Sequence, residues 1–295
     1  MDSAPTMTSK DSTLRLLTIW AWKIIRIPFF AYIGLILFLC LFENRLVFQP
    51  TTKSGKPPSR QSPNVRHQFV RSKDHSIHLL IVERDDPRLY ALYFHGNGGN
   101  ITHRASMLQR LATELNITII GVSYSGYGYS EGAPDEEQLA LDSEAAYSYL
   151  RAEYDASPSR IMVFGESLGG AIATRLAAKH ALPLLALDST FSSITDVAQH
   201  HYCWLPIRIL MKNRFPTSAY AKKFNGTTIQ THGTDDQIVP FHLGDKLANQ
   251  FAGPHEMIIR KNGKHNEVPP DEYYRAIAAA IDKIFYDGPA SSVKD

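Results

Sequence analysis

The stretch "VFGESLGGA", residues 163–171, places a serine between two glycines in the spacing Gly165-x-Ser167-x-Gly169. Such a serine is exposed for chemistry only if a buried strand feeds the turn and a helix leaves it at once. Both conditions are met in the flanking residues. "RIMVF" (160–164) is short and β-prone, and "LGGAIATRLAAKH" (168–180) is rich in alanine and leucine with apolar positions at helical spacing. The glycines at 165, 169 and 170 fall where a side chain would collide with the crossing strand and helix. The competing reading is an ordinary strand-to-helix turn, so the motif needs corroboration from the rest of the chain.

Working outward, the pattern alternates. Strands are predicted at 77–83, 89–94, 117–122, 160–164, 184–188, 227–232 and 255–260, and helices at 102–115, 135–154, 168–180, 240–251 and 271–286. Strand-helix alternation of this kind implies a mostly parallel sheet covered on both faces, with the chemistry in loops beyond the carboxyl ends of its strands. The informative motifs fall at those ends. "HGNGGN" (95–100), "GESLGG" (165–170), "HGTDDQIVP" (232–240) and "KNGKHNEV" (261–268) each follow a predicted strand.

In the order and intervals of these motifs the sequence resembles the α/β-hydrolase family, in particular its membrane-anchored lipase and esterase branch of lysophospholipid and monoacylglycerol lipases. The resemblance covers roughly residues 67–286. It implies an α/β-hydrolase fold and a serine hydrolase cleaving carboxylic esters, of lipids above all, through an acyl-enzyme with no metal or cofactor. A thioesterase or peptidase of the same fold, and a catalytically silent scaffold at a membrane, are the alternatives.

Acyl transfer by serine needs a nucleophile, a base, a group that orients the base, and donors for the developing oxyanion. Ser167 supplies the first, and His265, behind Gly263 and after the last strand, is the candidate base. The resemblance places the acid at Asp236, the aspartate of the His232-Gly-x-x-Asp frame, and Ser, Asp, His is then the hydrolase chain order. Asp188 and Asp235 are the competing acids. The expected oxyanion donors are the backbone amides of Asn97 and Leu168. A phosphate cradle in "HGNGGN" lacks both the Gly-Lys-Ser/Thr ending and the Gly-x-Gly-x-x-Gly spacing. A metal set of His95, His232, Asp235 and His265 has no short-range ligand spacing. One departure stands out. Relatives usually carry Asp-Tyr-Arg-Gly-Tyr-Gly-x-Ser where this chain has "SYSGYGYS" (123–130), so both charges of that loop are missing. The interruption 190–225 occupies the usual place of a lid, and its Trp204, Leu205, Ile207, Leu210 and Met211 are candidates for an acyl pocket or for plain packing.

The amino-terminal part has a different character. "IPFFAYIGLILFLCLF" (27–42) has no charge, and extending it back to Trp20 gives 23 residues, beyond the ~20 a bilayer core requires. Lys23 and Arg26 can snorkel, and Trp20 and Trp22 suit the interface. The leading polar region is long and no small-x-small site follows, which fits an uncleaved anchor over 20–42 better than a signal peptide. Four cations on each side leave its orientation open. The domain reading is a disordered polar start (1–19), the anchor (20–42), a linker or collar (43–66) with four prolines from Gln49 on, the catalytic domain (67–286) and a disordered tail (287–295). A net charge of +2 across 295 residues gives no basic excess to suggest nucleic acid, and two cysteines, Cys40 and Cys203, make no disulfide framework.

Overall fold

Residues 9–53, 60–62 and 64–287 are described in the computed structural model, and the chain divides into two units, residues 1–43 and 44–295. Helix α1 runs over Ser9–Val47. Its stretch Trp22–Val47 is 26 residues long and apolar enough to cross a membrane. The side chains of Trp22, Ile24, Ile27, Phe30 and Leu41 are all exposed, as lipid-facing residues would be in a structure without lipid. Pro28 lies inside the helix. Residues 9–19, expected to be disordered, are helical, since nothing from Ser9 to Trp20 breaks a helix. Residues 1–8, 54–59 and 288–295, parts of the expected start, linker and tail, lie outside the described residues.

The second unit contains, in chain order, strands β1 (Gln49–Pro50), β2 (Arg60–Ser62), β3 (Val65–Ser72), β4 (His75–Val82), β5 (Leu89–Phe94) and β6 (Gly98–Gly99). Helix α2 (Ala105–Leu115), strand β7 (Ile117–Ser123), helix α3 (Glu136–Tyr154), strand β8 (Ile161–Glu166), helix α4 (Leu168–His180) and strand β9 (Leu184–Asp188) follow. The short helices α5 (Ile194–His201), α6 (Ile207–Leu210) and α7 (Thr217–Ala221) precede β10 (Thr227–Gly233), α8 (Phe241–Ala248), β11 (His255–Arg260) and α9 (Asp271–Asp287). Nine strands form one sheet in the order β11-β10-β9-β8-β5-β7-β4-β3-β2. From β11 to β7 the pairs are parallel, and β7, β4, β3 and β2 pair antiparallel.

Period-two alternation divides the core between the two faces. Leu92 and Phe94 of β5 and Ile161 and Val163 of β8 join the helices α3, α4 and α8 in one buried cluster. Ala91, Tyr93, Met162 and Phe164 join α2 and α9 in the other. Because both faces are covered, the central strands read as unbroken apolar runs. Helix boundaries follow local chemistry: Asp135 caps α3 by accepting from the Gln138 amide at 2.7 Å, and Asn116 ends α2 in the left-handed region.

The structure also corrects the linker reading of residues 43–66. Residues 44–47 continue α1, β1 pairs in parallel with β6, and Phe48 is a core residue at 2% exposure. The prolines and cations that suggested a free linker belong mainly to the part after Lys53. Strands β2 and β3, which extend the sheet ahead of residue 67, were not expected either. Their side chains alternate only weakly, in the order Val65, Arg66, His67, Gln68, Phe69, as suits a strand near the sheet edge.

Candidate active site

Strand β8 delivers Ser167 to the carboxyl edge of the sheet, and α4 begins at the next residue. Ser167 has φ 51° and ψ −115°, a conformation that costs a non-glycine residue about 1–3 kcal/mol and persists only where its surroundings impose it. They do so through close approach: a Cβ on Gly169 would stand 2.1 Å from the Phe94 carbonyl oxygen, and one on Gly165 2.5 Å from Gly170 Cα. Gly169 and Gly165 let the helix and the strand close on the turn. The Ser167 amide donates to Asp188 O at 2.8 Å, and Thr190 Oγ1 donates to Ser167 O at 2.8 Å, so the turn is held on both sides.

Three separated loops converge on this serine. His265 Nε2 lies 3.1 Å from Ser167 Oγ, and His265 Nδ1 lies 2.7 Å from Asp236 Oδ2. Asp236 is 5% exposed. Its Oδ1 accepts from the amides of Ile238 (2.9 Å) and Val239 (2.8 Å). Burial pushes its carboxyl upward, but hydrogen bonds from His232 and His265 and from the Val239 amide outweigh that and hold it below the usual carboxylate range. Buried His232 lies with Nε2 3.2 Å from Asp236 Oδ2 and 2.8 Å from Val239 O. Both neighbours are acceptors, so Nε2 carries the proton and His232 orients Asp236.

The competing acids go elsewhere. Asp188 pairs with Arg260 at 3.1 Å and accepts from Ser189 Oγ at 2.9 Å. Burial pushes its carboxyl up to about 6 against the pull of Arg260. Asp235 is exposed and, among the described residues, accepts from its neighbour Thr234 alone. His95 turns Nδ1 to Gly96 O at 2.7 Å. With His232 and His265 committed to Asp236, the four residues considered as a metal set each have other partners.

The expected oxyanion loop, residues 95–100, adjoins the serine, since a Cβ on Gly96 would lie 3.6 Å from Ser167 Cβ. Neither the Asn97 nor the Leu168 amide has a hydrogen-bond acceptor among the described residues. The orientation of the Asn97 amide follows from peptide geometry. Its N–H lies antiparallel to the Gly96 carbonyl in one trans plane, and His95 Nδ1–H holds that carbonyl. Burial lowers the His95 imidazole to about 4 and keeps it neutral. Beyond the amide, the Tyr127 hydroxyl donates to Asn97 O and the Tyr124 hydroxyl to His95 O, both at 2.7 Å.

These tyrosines belong to "SYSGYGYS", and they show how that loop serves without its two charges. Buried Asp142 of α3 accepts from the Ser125 amide at 2.7 Å, from Ser125 Oγ at 2.9 Å and from Ser72 Oγ at 2.6 Å. The negative charge therefore comes from a helix, and phenolic hydroxyls reach the oxyanion loop. Tyr124, Tyr127 and Asp142 were missed as supporting residues, whereas His232, preceding a glycine at a strand end, is expected from the sequence to pack or hydrogen-bond beneath the site. The available signal was a loop with three tyrosines, two of which prove fully buried.

A cavity of about 580 Å³ reaches His265. Tyr93, Met107, Phe164, Glu166 and Tyr273 line it with His265, between α2 and α9. Glu166 is held by Arg104 at 2.5 and 2.9 Å and by the Tyr93 hydroxyl at 2.7 Å. None of the five lid candidates lines this cavity. Leu205 and Ile207 are buried, Leu210 and Met211 are half-buried, and Trp204 is 56% exposed. A short helix such as α6 turns one face inward and leaves its neighbours in solvent.

Comparison with known proteins agrees with this architecture. The family described as "alpha/beta hydrolase fold" matches residues 92–230. An uncharacterized protein of Mycobacterium tuberculosis is 30% identical over 79% of this chain and 84% of its own length. Human alpha/beta hydrolase domain-containing protein 17B is 30% identical over 67% of each chain. The chain belongs to the α/β-hydrolase fold family. Among solved structures, the Pyrococcus furiosus esterase Pf2001 superimposes with a TM-score of 0.64 over 80% of this chain and 97% of its own, at 14% identity. Acetyl xylan esterase 1 of Thermoanaerobacterium gives 0.62 over 77% and 86%, at 16% identity. At these identities the likeness is one of fold, and with the family match it supports a hydrolase.

Proposed function

We propose that this chain is a serine hydrolase that cleaves carboxylic esters through an acyl-enzyme, with α1 as its membrane anchor. The observation that carries the reading is the hydrogen-bonded line Ser167 Oγ, His265, Asp236 at 3.1 and 2.7 Å. Ser167 Oγ attacks the ester carbonyl as its proton passes to His265 Nε2, and Asp236 stabilises the imidazolium that results. The tetrahedral oxyanion takes hydrogen bonds from the amides of Asn97 and Leu168. Collapse breaks the ester C–O bond, and the departing alcohol takes the proton from His265. Water then repeats the sequence on the acyl-serine and releases the acid. The cavity, of a size typical of small-molecule sites, reaches His265, while Ser167, Asn97 and Leu168 lie outside its lining.

Lipid esters are the substrate class this reading favours. The apolar stretch Trp22–Val47 would hold the enzyme at a bilayer, and the lid exposes Tyr202, Trp204 and Ile209. The test is labelling by a fluorophosphonate probe in detergent or membranes. Wild-type protein takes up the probe, and Ser167→Ala abolishes both labelling and ester hydrolysis. Labelling that persists on another serine overturns the assignment.

A further inference from the structure

We propose that residues Val47–Lys53, the last residue of the apolar helix and the six that follow it, form a strap that positions the oxyanion donor Asn97, so that the catalytic machinery begins well ahead of the main sheet. This rests on the serine-hydrolase reading above. The strap hydrogen-bonds in a period of two. The Gln49 amide donates to Asn97 O (3.1 Å), the Thr51 amide to Gly99 O (3.0 Å) and the Lys53 amide to Gly128 O (2.8 Å). Pro50, which has no N–H, stands at a position where no donor is called for. In the other direction, Asn97 Nδ2 donates to Val47 O (3.2 Å), Asn100 Nδ2 to Thr51 O (3.0 Å) and the Gly128 amide to Thr51 O (3.0 Å).

Phe48 fixes this short segment in place. It is 2% exposed and meets Phe215 edge-on at 6.1 Å between ring centroids. Two isolated strand residues would not hold a register unaided, but a buried aromatic ring between hydrogen-bonding positions does so. The strap therefore lies between the oxyanion loop and the tyrosine loop and is bonded to both.

The consequence concerns one residue. Asn97 has its carbonyl taken by Gln49 N and Tyr127 Oη and its side chain by Val47 O, while its amide has no acceptor among the described residues. A donor whose neighbouring groups are all committed stays aimed without reorganising during the reaction. Two of those three ties come from the strap. Removing an oxyanion donor outright costs about 10²–10³ in turnover. Loosening one forfeits part of that, an expected loss of roughly 10- to 100-fold in kcat with KM little changed.

The experiment uses the full-length chain in detergent, with a soluble short-chain ester. Gln49→Pro deletes the N–H bonded to Asn97 O, Phe48→Ala removes the anchor, and Phe48→Leu is the conservative control. Melting temperature identifies folded variants, and amide exchange of the peptide covering residues 95–101 reports the loop without reference to activity. We expect Gln49→Pro and Phe48→Ala to lose kcat in the stated range, to bind a trifluoromethyl ketone more weakly by a similar factor, and to exchange faster at residues 95–101, with Phe48→Leu close to wild type. If Phe48→Ala does not fold, Gln49→Pro decides. A folded variant whose kcat and exchange both stay within about twofold of wild type overturns the strap. Faster exchange in the variants beside an inert wild-type protein upholds the clamp and overturns the hydrolase reading alone.

Discussion

Replacing Asp236 by asparagine tests the proton path with the least change in shape. Oδ1 accepts from two backbone donors, the amides of Ile238 and Val239. An asparagine must keep its oxygen there and therefore turns its NH₂ toward the place of Oδ2. That place faces Nε2–H of His232 at 3.2 Å and Nδ1 of His265 at 2.7 Å. The NH₂ opposes one N–H and can donate only to His265 Nδ1. The imidazole is then driven into the tautomer protonated at Nε2, the atom that has to receive the Ser167 proton. Tautomer reversal of this kind costs on the order of 10⁴ in turnover, or about 5.4 kcal/mol of barrier. Asp188→Asn disturbs Arg260 and Ser189 but not the tautomer, and Asp235→Asn alters only an exposed contact. Steady-state hydrolysis of a soluble chromogenic ester, with thermal melts to confirm folding, ranks the three. The reasoning is refuted if Asp236→Asn keeps more than about a tenth of wild-type turnover, or if Asp188→Asn costs more than Asp236→Asn.

Other outcomes follow from the same geometry. Gly169→Ala drives a methyl group against the Phe94 carbonyl at 2.1 Å; calorimetry should show a loss of about 3 kcal/mol or more, with activity lost as well. The hydrogen-bonded Asp236 carboxyl lies below its ordinary range, so its contribution is present above the unfolded-chain value near 3.9 and is lost as pH falls through the native value. Denaturant titrations should therefore find Asp236→Asn less stable than wild type at pH 7 and the gap narrowing toward pH 3. Deleting residues 1–43, which keeps Phe48 and the strap, should preserve turnover of the soluble ester and lower that of a long-chain lipid in vesicles. Trp204→Ser should do the same in the intact chain, because an exposed lid residue outside the cavity has no hold on the soluble substrate.

The parts legible in the sequence are those fixed by local rules. The seven predicted strands correspond to β4, β5 and β7 to β11, because a parallel strand buried on both faces must be an apolar run and its helices must turn one apolar face inward. Ser167 was legible because each glycine of its turn has a steric reason. His265 and Asp236 needed the family resemblance, since 98 and 29 residues separate His265 from Ser167 and Asp236, and no periodicity encodes a contact at that range. Residues 44–53 were misread because the information lies in their partner. Phe48 between a charged helix end and a proline-containing run carries no pattern of its own, and only the edge of the oxyanion loop makes β1 a strand. The exposure of Trp204 is illegible for a related reason: composition gives a segment's apolar content but not which side turns inward.

The tyrosine loop connects these observations. The Asp and Arg of the family pattern would stand at 123 and 125, where Ser123 Oγ here donates to Tyr127 O and Ser125 donates to Asp142. The hydrogen bonds that hold the oxyanion loop come from the neutral hydroxyls of Tyr124 and Tyr127, the imidazole of His95 and the strap, while the Glu166 carboxylate beside Gly96 is taken up by Arg104. Asp142 is spent on Ser72, Ser125 and Gln138 at one remove. Burial raises the phenols of Tyr127 and Tyr124 above their ordinary value, so both remain donors near neutral pH. A framework of neutral donors holds the amides in place without competing electrostatically for the oxyanion they are to bind. In the proposed cycle the change of charge on the protein falls on Ser167 and His265, with Asp236 facing the imidazole from the far side.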